Sequence, residues 1–67
     1  MHTTTQRVLS LFQNDPNAIM DAHDVADATL IPYRDALAAV RNLARYDRIT
    51  HIGGYLYTAS TRTHDRV

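Results

Sequence analysis

The stretch TLIPYRDALAAV, Thr29 to Val40, decides the fold. Two apolar residues, Leu30 and Ile31, run into Pro32, and a helix-like pattern restarts at once. Pro32 disfavours helical geometry at Ile31, so any helix before it must end there. Proline is tolerated in the first turn of a new helix, where its missing N–H would have no partner anyway. The stretch therefore predicts a tight turn between two helices. Upstream, Asp21 looks like a helix cap, with Asp24 three residues on and favourable to the helix dipole. This places a short helix over about Ala22 to Thr29, with Ala22, Val25, Ala26 and Thr29 on its inner side.

Downstream, a helix is expected from Pro32 to Tyr46. At roughly 100° per residue, Ala36, Val40 and Leu43 define its apolar centre, flanked by Tyr33, Leu37, Ala39 and Ala44. The opposite side carries Arg34, Ala38, Arg41 and Arg45. Three arginines thus share one stripe with a small residue in its middle.

Further out, TTTQRVLSLFQNDP reads as a first helix capped by Thr3 or Thr4. With Thr3 as cap, Gln6 stands at the capping-box position. Val8, Leu9, Leu11 and Phe12 form its apolar side, and Asn14-Asp15-Pro16 ends it. The run AIM, Ala18 to Met20, is too short for a helix and suits a brief strand. Near the other end, ITHIGGYLYTA has β-rich runs on either side of Gly53-Gly54, a two-residue hairpin signal. That register pairs Ile52 with Tyr55, His51 with Leu56, Thr50 with Tyr57 and Ile49 with Thr58. Leu56 then faces inward with Ile49 and His51, and Tyr57 faces outward with Ile52 and Tyr55. The expected core is Val8, Phe12, Val25, Ala26, Val40, Leu43, Ile49 and Leu56. Residues 1–59 form the expected domain, and 60–67, STRTHDRV, an expected flexible tail.

Composition sets outer bounds. The chain has 67 residues, enough for one domain, and no cysteine for a disulfide framework or a cysteine-ligated zinc. Seven arginines balance seven aspartates, and Lys and Glu are absent. A neutral total argues against a non-specific nucleic-acid coater but leaves room for a local basic face. No apolar run approaches the roughly 20 residues a membrane span needs, and MHTTTQRV lacks a signal-peptide layout. A soluble, cytoplasmic protein without membrane contact is expected.

In order, the elements are helix, short strand, helix, turn, helix and two-stranded hairpin. That order resembles the winged helix-turn-helix family over about Thr4 to Ala59, through HDVADATLIPYRDALAAVRNL and YDRITHIGGYLYTA. The resemblance implies an α+β, mostly α fold of three helices plus a small β-hairpin wing. Ala26 fits an alanine that packs in the first helix of the family's motif. Leu30 departs from the glycine usual in its turn. The resemblance further implies that the third helix enters the major groove of double-stranded DNA. Arg34, Arg41 and Arg45 then become candidate DNA contacts, since arginine can reach guanine O6 and N7 together. Ala38 would allow close approach or touch a thymine methyl, Tyr33 stands near the helix start, and Asn42 completes the set. On an ordinary helix the same stripe is a solvated face.

Other features pull away from DNA. Asp24 and Asp27 face outward on the second helix, and the wing tip carries no Arg or Lys. Ile52, Gly53, Gly54, Tyr55 and Tyr57 form a candidate wing or partner contact, and a homodimer is one expectation for it. The functional expectation is a small, sequence-specific transcriptional regulator. The alternative is a winged-helix module that binds and modulates a protein such as a polymerase or nuclease. Of four histidines, His23 and Asp27 stand one turn apart, but no third ligand joins them, so no metal or other cofactor is expected. No serine elbow, phosphate loop or paired-acid motif appears, so an enzyme is not expected.

Overall fold

A computed structural model describes residues 3–59. The tail expected over 60–67, with Arg62, His64 and Arg66, and His2 at the other end, lie outside the described residues. The element order is α1 (Thr3–Asn14), β1 (Ile19–Met20), α2 (Ala22–Thr29), α3 (Tyr33–Arg45), β2 (Ile49–Gly53) and β3 (Leu56–Ala59). Among the described residues, three helices and a three-stranded antiparallel sheet of order β1-β3-β2 make an α+β, mostly helical fold with a winged-helix layout. AIM contributes only its last two residues to β1, which pairs with β3 through Ile19–Thr58 and Met20–Tyr57.

Each helix pins its apolar stripe to one core. Val8 and Phe12 of α1, Val25 of α2, and Ala36 and Val40 of α3 are fully buried, with Ile49 of β2 closing the space beside them. Ala22, Ala39, Leu43, Tyr57 and Ala59 complete the centre. Ile31 is also buried, so the turn before Pro32 is anchored from inside. Ala26, expected in the core, is half-buried against its edge.

The hairpin corrects the expected register. Its turn is Gly54-Tyr55 rather than Gly53-Gly54, and Gly53 pairs with Leu56. Between His51 and Gly53 the ladder is irregular, with Ile52 as the extra residue of a β-bulge. Beyond the bulge the pairs are His51–Tyr57, Thr50–Thr58 and Ile49–Ala59. A one-residue slip exchanges the two faces of a strand. Tyr57, expected outside, is therefore buried on the core side with Ile49, whereas Leu56, expected in the core, is exposed. Gly53 at φ +118° and Gly54 at φ +54° supply backbone conformations that side-chain-bearing residues rarely adopt.

Candidate nucleic-acid interface

The site rests on how α2 and α3 are joined. Asp21 accepts a hydrogen bond from the Asp24 backbone N–H at 2.9 Å, and the Asp21 N–H donates to the Asp24 carboxylate at 3.3 Å, a reciprocal capping box that starts α2. At the other end, Leu30 stands in the left-handed region at φ 59°, ψ 37°. The Ile31 N–H then reaches back to the Ala26 carbonyl at 3.2 Å, the closure typical of a helix ended by a left-handed residue. Leu30 thus holds a left-handed conformation that glycine adopts more readily. Arg7 of α1 adds a clamp, donating from its guanidinium to the Thr29 carbonyl at 2.8 Å. A cation at a helix C-terminus both satisfies an orphan carbonyl and opposes the negative dipole end. Buried Thr29 turns its hydroxyl inward, donating to the Val25 carbonyl at 2.6 Å.

Pro32 is the N-cap of α3, extended at φ −55°, ψ 144°, and its carbonyl accepts the Ala36 N–H at 2.9 Å. At the far end, Asp47 adopts φ 61°. The Asp47 N–H reaches the Ala44 carbonyl at 3.1 Å, and the Arg48 N–H reaches the Leu43 carbonyl at 2.8 Å, a Schellman closure. Both ends of α3 are thus fixed by backbone geometry, with Asp35 in its first turn and Arg45 in its last, each suited to the local dipole.

Between these ends α3 buries Ala36, Ala39, Val40 and Leu43 and presents the opposite side to solvent. Arg34, Ala38, Arg41, Asn42 and Arg45 are all exposed. Eleven steps of about 1.5 Å put Arg34 and Arg45 roughly 16 Å apart along the axis. Among the described residues, no hydrogen bond or ion pair engages the guanidinium groups of Arg34, Arg41 or Arg45. The ridge separates two hollows. On the α1 side, Asn42 lines a hollow with Thr4, Thr5, Asp35, Ala38 and Ala39. On the other side, Tyr33 stacks on His23 of α2, with ring centroids 4.1 Å apart and planes 19° from parallel. Tyr33 therefore stands apart from the arginine ridge, against α2.

No protein-family model, curated protein or solved structure matches this chain.

The wing set divides. Ile52, Gly53, Gly54 and Tyr55 are exposed, but Tyr57 is withdrawn from it by burial. The His51 Nε2–H donates to the Gly54 carbonyl at 2.8 Å and so braces the turn. Around the ridge, Asp24 and Asp27 of α2 are exposed, as expected. Among the described residues, no three His, Asp, Glu or Cys side chains come together as a metal-binding group. No helix among them is long and apolar enough to cross a membrane. Two exposed residues have no role in the sequence reading, Arg48 beyond α3 and Ile19 on the edge strand, and a third, Leu56 on the wing, was expected in the core. Arg48 adds a fourth guanidinium just past the ridge, and its place after a helix stop at Tyr46-Asp47 was a readable signal.

Proposed function

We propose that this chain is a sequence-specific DNA-binding domain that acts as a small cytoplasmic transcriptional regulator. The reading is carried by one observation: the exposed ridge of Arg34, Arg41 and Arg45 around Ala38, free of other described partners, on a helix held at both ends. A major groove about 12 Å wide admits one helix, and the ridge offers guanidinium forks to guanine edges and phosphates. Arg41, at mid-helix, serves base readout. Arg45 and Arg34 serve phosphates, with Asn42 beside them. One such ridge covers a short half-site, so the working unit is a homodimer on a two-fold site. Exposed Ile52 and Leu56 on the wing offer its contact.

A second reading is favoured by different residues. Asp24 and Asp27 on α2 repel phosphates, and Ile52, Tyr55 and Leu56 give the wing an exposed apolar surface. Those features suit a module that binds a protein. Selection of bound sequences from random duplex DNA separates the two readings. Enrichment of a short motif supports the regulator, and recovery of the unselected pool contradicts it.

A further inference from the structure

On the flank of α3 away from Asn42, a groove of about 290 Å³ opens between the start of α2, the start of α3 and the wing. Its walls are Asp21, Ala22, His23, Tyr33, Leu37, Tyr55 and Tyr57. Four of these seven carry aromatic rings, from α2, α3 and the hairpin. Tyr33 is held in place by its stack on His23, and Tyr57 by burial and by the His51 ring 4.9 Å away. Tyr55, 79% exposed at the turn of the wing, stands at the rim. Among the described residues, no arginine lines the groove.

We infer that this groove binds a small organic cation of the alkylammonium class. Ring faces carry negative quadrupole potential and attract a cation that is weakly hydrated and apolar at its surface. The carboxylate supplies the net charge. Asp21 Oδ1 is occupied by the Asp24 N–H, while among the described residues Oδ2 takes no hydrogen bond. Asp24, one turn on and exposed, adds a second negative charge nearby. Among the described residues the wall carries one carboxylate, so an anion would be repelled and a bare metal ion would find a single acidic ligand. A neutral apolar guest would gain nothing from the charge of Asp21. The volume is at the lower end of ligand pockets, which suits a headgroup-sized guest rather than a larger one. None of the groove residues belongs to the arginine ridge of α3.

The test uses choline and its uncharged carbon isostere, in which a quaternary carbon replaces the nitrogen, at matched ionic strength. Binding is followed by the ring resonances of Tyr33, Tyr55 and His23 in the full chain. Choline should shift them saturably in the millimolar range, and the isostere should bind at least about 5-fold more weakly. Asp21→Asn keeps a good helix cap while removing the charge, and should weaken choline about 3- to 10-fold. Tyr55→Ala, at an exposed position, should weaken it similarly, and Tyr55→Phe should restore it. Equal response to choline and the isostere, or no saturable shift, overturns the proposal. So does unchanged choline affinity in both Asp21→Asn and Tyr55→Ala.

Discussion

Leu30 carries a strain that its surroundings do not relieve. Its left-handed backbone costs a side-chain-bearing residue about 1–2 kcal/mol, and at 88% exposure the leucine gains little from burial. Replacement by glycine removes that cost but gives the unfolded chain more freedom, worth about 0.4–1 kcal/mol. Leu30→Gly should therefore stabilise the fold by about 0.5–1 kcal/mol, read as a raised urea or thermal midpoint. A lowered midpoint would show that Leu30 contributes a contact outweighing its strain. Arg7 acts at the same turn from the other side. Arg7→Ala should lower stability by about 1 kcal/mol, since it orphans the Thr29 carbonyl, and chemical denaturation will measure it. The turn itself was legible, because Pro32 forbids a continuous helix. The clamp was not, because Arg7 and Thr29 are brought together only by the packing of α1 on α2.

At the scale of elements, the helices followed from the sequence and the hairpin register did not. The stripe of α3 repeats over three turns, so a wheel locates its buried and exposed sides without ambiguity. The register of a hairpin instead hangs on one residue, and two adjacent glycines allow two turns. Filling the core decided the matter. The bulge at Ile52 turns Tyr57 inward beside Ile49, and the smaller Leu56 goes out. The two wing tyrosines should then respond oppositely to a charge. Tyr57→Asp buries a carboxylate against an apolar core and should abolish cooperative unfolding, whereas Tyr55→Asp should leave stability within about 0.5 kcal/mol of wild type. Circular dichroism melts of both variants check this. A folded Tyr57→Asp protein would restore the register expected from Gly53-Gly54.

At the scale of the molecule, one small core supports every element. Phe12 is fully buried where α1 packs on the rest, and Phe12→Ala should cost about 3–5 kcal/mol. Domains of this kind have only about 5–15 kcal/mol in total, with small ones at the low end, so the variant should be largely unfolded at 25 °C. The α3 ridge depends on that core for its rigidity, yet none of its arginines takes part in it. This separation allows the functional proposal to be tested without disturbing the fold. Arg41 lies one turn past Ala38, opposite Val40 and Leu43, and Arg45 lies a further turn on, where a straight helix leaves a curved groove. The deciding measurement is a salt titration of DNA affinity for wild type, Arg41→Ala and Arg45→Ala on a selected and a scrambled duplex. Wild type should prefer the selected duplex, and Arg41→Ala should lose about 1–3 kcal/mol on it alone. Arg45→Ala should weaken both duplexes alike and flatten the slope of log affinity against log salt by roughly one unit. Equal wild-type affinity for the two duplexes would reduce the ridge to an electrostatic patch, and no binding to either at low salt would contradict the DNA-binding function altogether.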